Sequence, residues 1–204
     1  MVRSDKRVLE GLRPGVSAKE AAMRSRRISL VLTDCDGVLT DNGVYYSDRG
    51  EVMKRFSIRD GMGVERLRAA GIETGIMSGE VSPSILKRAE KLRLQHVYLG
   101  IADKRELLFT VLARHGWVVD NVAFMGDDVN DLPVITELQA SGLTAAPVDA
   151  LPCVRQAVHY VSAASGGCGA FRDFAEWILS HRLRDITLSA EHAVPPLVRH
   201  TTME

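Results

Sequence analysis

Short apolar runs alternate with longer amphipathic stretches between residues 28 and 180. The first run, 28–33, is a continuous Ile/Leu/Val segment, typical of a parallel strand that helices cover on both faces. Further strands are predicted at 72–77, 96–99, 122–125, 142–145 and 157–161. Helices are predicted at 61–70, with Asp60 as the N-cap, and at 82–92, 104–115 and 170–180. This alternation predicts an α/β fold with one parallel sheet, flanking helices and right-handed crossovers.

One segment after the first strand breaks this alternation. Residues 44–46 and 51–56 are β-prone and flank an Asp48-Arg49-Gly50 turn, while Asn42-Gly43 is a second turn signal. We predict a β-hairpin flap beside the end of the first strand. A lone hairpin is marginally stable in water, so it needs a surface to pack on, and a neighbouring subunit is one candidate.

The two ends of the chain carry weaker signals. Residues 1–27 are rich in Arg and Lys, and Ser17 with Glu20 forms a capping-box pattern for a short helix at 18–26. We expect a solvated basic N-terminal extension over 1–27 and one domain over 28–180. Residues 181–204 contain Pro195-Pro196 and little apolar periodicity, which predicts a loose C-terminal tail.

Composition narrows the class of partner. The 26 Lys and Arg residues equal the 26 Asp and Glu residues, so the net charge is zero, which argues against nucleic-acid or anionic-membrane binding. The three cysteines show neither a CxxC pair nor a zinc-site spacing, which fits a reducing cytoplasm. There is no apolar run near the roughly 20 residues of a membrane span, and no signal peptide is predicted.

Polar side chains collect at the predicted carboxyl ends of the strands, where open α/β sheets bind ligands. The first strand stops at Asp34 and Asp36, the second at Ser78, and Lys104 lies at a helix start. The fourth strand runs into a GDDVND segment that holds Asp127, Asp128 and Asp131. Carboxylates this close repel unless a cation joins them, and Mg²⁺ prefers such oxygen ligands beside phosphates. The set predicts a Mg²⁺-dependent phosphoryl site, although each residue alone also fits an ordinary turn or helix cap.

The segments TDCDGVLT, MSG, Lys104 and GDDVNDLP resemble the four motifs of the haloacid dehalogenase superfamily of phosphatases. TDCDGVLTDNG, FSIRDGMG and GGCGAFRD are similar to the phosphatases of 2-keto-3-deoxy sugar acids such as 3-deoxy-D-manno-octulosonate (KDO) 8-phosphate. The resemblance implies a Rossmann-like fold, a phosphoric monoester hydrolase and an aspartyl-phosphate intermediate. It assigns Asp34 as nucleophile and Asp36 as general acid and base.

The same resemblance implies further roles. Mg²⁺ would be held by Asp34, the Asp36 main-chain carbonyl and Asp127, with Asp128 and Asp131 as accessory acids. Ser78 and Lys104 would bind the phosphoryl oxygens. The short spacings between the motifs leave no room for a large cap domain. In the resembling family four subunits assemble through the hairpins, so we expect a homotetramer.

Substrate selection rests on weaker signals. The resemblance points to Gly79, Glu80 and Arg172 as substrate-binding residues, with Arg172 suited to a keto-acid carboxylate. KDO 8-phosphate phosphatases tend to carry Arg where this chain has Glu80, which looks more like phosphatases of nine-carbon ketodeoxynonulosonate or sialic acid 9-phosphates. Cys168 replaces a common Arg, and its role stays open. The alternatives are a non-catalytic oligomerisation domain of the sugar-nucleotide pathway, a phosphoacceptor receiver domain and, more weakly, a phosphomutase.

Overall fold

The computed structural model describes residues 16–191, with side chains described for residues 16–182. A parallel six-stranded sheet lies at the centre, in the order β5-β4-β1-β6-β7-β8. The sheet strands are β1 (Leu30–Thr33), β4 (Glu73–Met77), β5 (His96–Tyr98), β6 (Val122–Met125), β7 (Leu143–Ala146) and β8 (Tyr160–Val161). The hairpin strands are β2 (Thr40–Ser47) and β3 (Gly50–Phe56). The predicted α/β architecture and hairpin are confirmed.

Seven helices accompany these strands in the described part of the chain. They are α1 (Ala18–Arg27), α2 (Ile58–Ala69), α3 (Pro83–Leu92), α4 (Lys104–His115), α5 (Leu132–Leu138), α6 (Pro152–Ala157) and α7 (Ala170–Glu191). Two clusters of buried apolar side chains pack the helices against the sheet. One packs α1, α2, α3 and α7 against one face, and the other packs α4, α5 and α6 against the opposite face.

The central strand β1 shows why both faces need covering. Its four residues are all buried, with Val31 in one apolar cluster and Leu30 and Leu32 in the other. Successive side chains of a strand point to opposite faces, so a continuous apolar run feeds both cores. The carboxyl end of β1 therefore opens between two sealed layers, directly beside β4 and β6.

The described part of the N-terminal extension is packed rather than solvated. Val16 and Ala21 join the core, and Arg24 donates to the backbone oxygens of Gln139 and Gly142 at 2.9 Å each. The predicted Ser17 cap is present, since its hydroxyl accepts from the Glu20 amide at 3.1 Å. The solvated leader expected before residue 28 therefore does not describe residues 16–27. Residues 1–15 lie outside the described part, and the proposed domain boundaries stay predictions.

Helix α7 also differs from the expectation. It was predicted to end near residue 180, but its backbone continues to Glu191, and His181 is 1% exposed. Its aromatic side chains pack in series, with Trp177 stacked on Tyr160 at 4.9 Å between ring centroids. Burial of His181 carries the core-facing side of the helix past the predicted end. Residues 181–191 of the predicted loose tail at 181–204 are therefore helical, and residues 192–204, with the proline pair, lie outside the described part of the chain.

Asp60 has a different partner from the one predicted. We expected it to cap the amino end of α2, but Ser57 holds that place and accepts from the Arg59 amide. The Asp60 carboxylate, 1% exposed, instead accepts from the Gly169 and Arg172 amides at 3.1 Å each, at the start of α7. Burial raises the pKa of Asp60, although these backbone bonds oppose that shift. The residue joins two helices that are distant in sequence.

Candidate active site

The turn after β1 brings the first acidic pair to the sheet edge. Asp34 is 6% exposed, and its Oδ1 accepts from the Cys35 amide at 2.6 Å. Gly37 has a φ of +79°, and a Cβ there would lie 1.9 Å from Oδ2 of Asp127. Glycine is therefore required both by the left-handed backbone and by the neighbouring carboxylate. The close approach shows that the two acidic segments of the sequence meet.

A buried lysine joins the acidic segments. Lys104 is the first residue of α4, and its helix is capped by Asp103, whose carboxylate accepts from the Glu106 amide at 3.0 Å. The Lys104 Nζ lies 2.6 Å from Asp34 Oδ2 and 2.7 Å from Asp131 Oδ1. The three side chains are 2%, 8% and 0% exposed. Lys104 thus balances charge inside the site rather than lying on a solvated helix face.

Asp131 is held entirely by internal donors. Its Oδ1 accepts from Lys104, and its Oδ2 accepts from the Asp127 and Asp128 amides at 2.9 and 3.3 Å. It therefore fixes both Lys104 and the loop between β6 and α5. Asp128 is exposed, and its carboxylate accepts from the Val129 amide in a 3-10 turn. Of the three acids in the GDDVND segment, Asp127 and Asp131 each have a carboxylate oxygen within 4.8 Å of an Asp34 oxygen.

Crowding perturbs the titration of these groups. Burial, followed by repulsion from Asp131, raises the pKa of Asp34 to about 7, although Lys104 opposes the shift. Burial, followed by repulsion from Asp34 and Asp131, raises the pKa of Asp127 to about 8. Burial would lower the pKa of Lys104, but the charges of Asp34 and Asp131 outweigh it, so that pKa is raised. The carboxylates of Asp34, Asp127 and Asp131 therefore carry more negative charge than Lys104 neutralises.

The residues present fit a divalent cation. Carboxylate oxygens of Asp34, Asp127 and Asp131 lie within 4.8 Å of one another. Oδ1 of Asp127 is buried and has no hydrogen-bond partner, although a buried carboxylate oxygen is ordinarily paired. Asp34 and Asp127 are thus placed to share one ion. Asp131 supports them, because both its oxygens are already engaged.

Ser78 lies at the carboxyl end of β4, beside β1. It is 1% exposed, and its hydroxyl oxygen accepts from the Glu80 amide at 3.1 Å, which leaves the hydroxyl proton for a ligand. Its backbone bonds to Tyr98 and Ile101 fix the loop against the segment that leads to α4. Gly79 and Glu80 follow on the exposed side of this loop.

A second lysine, which the sequence analysis did not single out, contacts the other acid. Lys54 on β3 donates to Asp36 Oδ2 at 2.6 Å, and its side chain is 1% exposed. Thr40 donates to Asp36 Oδ1 at 3.1 Å. The hairpin therefore contributes to the site itself. A lysine within a strand of alternating pattern reads as a solvated position, so only the fold reveals its role.

Asn42 is also placed differently from the prediction. Asn42-Gly43 is predicted to form a turn, but both residues lie inside β2, where the register with β3 is irregular between Thr40 and Val44. Asn42 has a φ of +65°, and its amide lies 3.5 Å from Asp127 Oδ2. The turn signal marked an irregular strand that places a side chain at the site.

These groups surround a pocket of about 250 Å³. It is lined by Asp34, Asp36, Asn42, Ser78, Gly79, Glu80, Asp127, Asp128, Val129 and Asn130. A larger cavity of about 410 Å³ lies at the opposite ends of β4 and β5, between residues such as Arg68, Glu73 and Arg93. It contains none of the motif carboxylates, so size alone does not identify the site.

The glycine segment before α7 supports the acidic turn from behind. The Gly167 amide donates to the Val38 oxygen at 2.9 Å, and a Cβ on Gly166 would lie 1.9 Å from the Gly37 oxygen. Cys168 is exposed, with its sulfur 3.4 Å from an Arg55 nitrogen. Arg172 is not among the residues that line this pocket. Its Nε donates to Glu176 at 2.8 Å instead. Its assignment to the substrate carboxylate stays a prediction.

Comparison with known proteins identifies the family to which the chain belongs. No protein-family model matches the chain. A 3-deoxy-D-manno-octulosonate 8-phosphate phosphatase of Haemophilus influenzae is 38% identical over 152 residues, covering 74% of this chain and 83% of that protein. The corresponding phosphatase of Yersinia pestis is 34% identical over 165 residues, covering 81% of this chain and 87% of that protein. The chain belongs to this phosphatase family of the haloacid dehalogenase superfamily.

Solved structures of the family support the same placement. The cobalt-bound phosphatase of Haemophilus influenzae superposes with a TM-score of 0.74 at 35% identity, over 78% of this chain and 91% of that one. A Moraxella catarrhalis phosphatase in complex with magnesium, phosphate and KDO gives a TM-score of 0.76 at 28% identity, over 85% of this chain and 98% of that one. The chain is a phosphoric monoester hydrolase, and its carboxylate cluster is consistent with a divalent metal. None of the described helices is long and apolar enough to span a membrane.

Proposed function

We propose that the protein is a Mg²⁺-dependent phosphatase that hydrolyses a 2-keto-3-deoxy sugar acid phosphate through an aspartyl-phosphate on Asp34. The observation that carries this proposal is the buried Asp34 carboxylate, 2.6 Å from Lys104 and beside the unpartnered Oδ1 of Asp127. A nucleophilic carboxylate must approach a phosphate dianion, and the two anions repel each other. The site therefore needs positively charged groups beside both of them. Lys104 provides part of it, and Mg²⁺ bound by Asp34, the Asp36 carbonyl and Asp127 would neutralise phosphoryl and carboxylate oxygens.

The chain's own residues divide the chemistry into two steps. In the first, a carboxylate oxygen of Asp34 attacks phosphorus, the bond to the sugar oxygen breaks, and Asp36 gives that oxygen a proton. In the second, Asp36 takes a proton from water, whose oxygen attacks phosphorus and releases phosphate and free Asp34. The Ser78 hydroxyl and the Lys104 ammonium donate hydrogen bonds to phosphoryl oxygens, which holds the phosphoryl group in line for attack.

KDO 8-phosphate is the substrate that the named relatives favour. One observation favours a nine-carbon 9-phosphate as the second candidate: Glu80 lies exposed on the pocket wall. A carboxylate there accepts bonds from sugar hydroxyls, whereas arginine would favour an anionic group. Both candidates share the phosphoryl site and differ only in the sugar that reaches this wall.

We also propose that the hairpins assemble the chain into a homotetramer. Five large hairpin side chains are exposed although apolar or aromatic: Val44, Tyr45, Tyr46, Val52 and Met53. A patch of this kind on a pocket without a large cap marks a docking surface. A neighbouring hairpin would shield the pocket from water.

Phosphate release from KDO 8-phosphate and from a nonulosonate 9-phosphate, each with Mg²⁺ and with chelator, tests the proposal. We expect turnover of one of them that chelation abolishes and Mg²⁺ restores. Light scattering on the same samples measures the oligomer, and Asp34→Asn keeps it while losing turnover. A tetramer without activity on any sugar acid phosphate would instead support the non-catalytic assembly domain. A stable phosphoprotein without turnover would support the receiver domain.

A further inference from the structure

The hairpin carries a buried ionic chain that ends at Asp36. Lys54 Nζ lies 2.6 Å from Asp36 Oδ2 and 3.9 Å from Glu51 Oε2. The Ser82 hydroxyl, 0% exposed, donates to Glu51 Oε1 at 2.5 Å and accepts from the Ile85 amide as the cap of α3. The chain thus connects the proposed general acid to the loop that carries Glu80.

An irregularity in β3 makes this arrangement possible. The register shifts between the Tyr45–Met53 pair and the Tyr46–Glu51 pair, which leaves Val52 as an extra residue. A bulge of this kind redirects side chains relative to strict alternation. Glu51 and Lys54 therefore reach the same ionic chain although they are three residues apart. Val52 itself is directed to solvent, with 53% exposure.

The contacts fix the Asp36 carboxylate from both sides. Lys54 donates to one oxygen and Thr40 to the other, while the Asp36 side chain remains 19% exposed to the pocket. An acid that both gives and takes a proton needs a fixed direction, because proton transfer requires hydrogen-bond geometry.

We propose that Lys54 is a positioning residue that aims Asp36 at the leaving oxygen and at the attacking water. The inference rests on the proposed function, and deepens it by assigning the hairpin to the proton-transfer part of the reaction. It separates Lys54 from Lys104, which contacts the nucleophile instead. Loss of Lys54 should therefore affect the reaction only where a proton must move.

Leaving-group dependence tests this separation. An alkyl sugar oxygen needs a proton when it leaves, whereas p-nitrophenolate does not. With Lys54→Met in Mg²⁺, we expect kcat for the sugar phosphate to fall by about 100-fold, within the range of general acid–base catalysis. With p-nitrophenyl phosphate, we expect a rapid burst of one nitrophenolate per site. Slow turnover then follows, because hydrolysis of the aspartyl-phosphate still needs Asp36 as base.

Matched variants guard the result. Lys54→Arg keeps the charge and should restore part of kcat, while Arg49→Met, in the exposed turn of the same hairpin, should match the wild type. Circular dichroism and light scattering confirm the fold and assembly. Equal loss of the burst rate and of sugar-phosphate kcat, or a raised KM with unchanged kcat, would overturn the positioning role. If the wild type is active and Lys54→Met has the same kinetics, this inference is overturned and the proposed function is not. An inactive wild type overturns the proposed function and the inference with it.

Discussion

Two lysines, each between two carboxylates, contact the two acids of the turn that follows β1. Lys104 lies between Asp34 and Asp131, and Lys54 lies between Asp36 and Glu51. Both lysine side chains are at most 2% exposed. Their carboxylate partners differ, because Asp34 and Asp131 are 8% and 0% exposed whereas Asp36 and Glu51 are 19% and 15% exposed.

The difference separates two chemical tasks. The Lys104 cluster lies at the carboxyl ends of the parallel strands, where Asp34 and Asp131 are buried apart from the part of Asp34 that lines the pocket. Such a cluster suits charge neutralisation, since a buried ammonium keeps its field in a medium of low dielectric. The Lys54 cluster lies on the hairpin and leaves Asp36 partly exposed to the pocket, as the proposed proton exchange with water requires. Two acids only two residues apart thus acquire different surroundings from two different elements.

Replacement of the two acids should give the largest contrast. We expect Asp34→Asn to lower kcat by roughly 10³-fold or more on every substrate, because no other carboxylate occupies the nucleophile's place. Asp36→Asn should lose sugar-phosphate turnover but retain a nitrophenolate burst. Rapid-mixing assays with both phosphates measure these effects. A burst from Asp34→Asn would remove the nucleophile assignment.

Replacement of the two lysines should separate the clusters by stability. Lys104→Met leaves buried carboxylates without a cation, which we expect to destabilise the fold by about 3 kcal/mol or more. Lys54→Met leaves partly exposed partners that water can solvate, so we expect a cost of about 1 kcal/mol. Urea unfolding in chelator at pH 7.5 measures both. Equal losses would show that the two clusters have the same surroundings.

Metal removal should reveal the excess charge of the sealed cluster. The pKa values of Asp34 and Asp127 are about 7 and 8, above their ordinary value of 3.8, so the folded metal-free protein binds more protons than the unfolded chain. Its stability should therefore fall as pH rises from about 4 to 8, and Mg²⁺ should restore it by a few degrees in Tm, on the order of 3–5 °C.

Asp127→Asn sharpens this test. A neutral amide removes one repelling charge, so we expect a higher Tm in chelator at pH 8 than that of the wild type. The same variant should gain little from Mg²⁺. Asp48→Asn, in the exposed hairpin turn, is the matched control. A Tm that is independent of both Mg²⁺ and pH in the wild type would contradict the carboxylate cluster as a cation site.

The smallest effect on catalysis is expected for Glu80, in the loop between β4 and α3. We expect Glu80→Arg to shift the ratio of kcat/KM values towards KDO 8-phosphate by about tenfold, because an arginine favours anions over sugar hydroxyls. Glu90→Arg, exposed on α3, serves as control. Identical substrate ratios before and after would show that Glu80 does not select the sugar.

Local sequence determined most of the strands and the helices α1 to α4, together with the half of the site around Lys104, whereas helices α5 and α6 were not predicted. Caps at Ser17, Ser82 and Asp103 are where short-range rules place them, because a cap needs only a side chain and an amide three residues away. The convergence of Asp34, Ser78 and Asp127 was also predictable. Parallel strands end on one edge, whichever helices lie between them.

Long-range contacts decided the rest. Lys54 contacts Asp36 only because an irregular hairpin folds back on the acidic turn, and Asp60 serves a helix more than a hundred residues away. Packing against α7 makes a core element of α1, although its composition resembles a solvated arm. Hydrophobic periodicity predicts the secondary structure of a segment and which of its faces is buried, but not which distant residues contact it. The partner of a buried polar group is decided only when the chain packs, because an unpaired polar atom becomes costly only once it is removed from water.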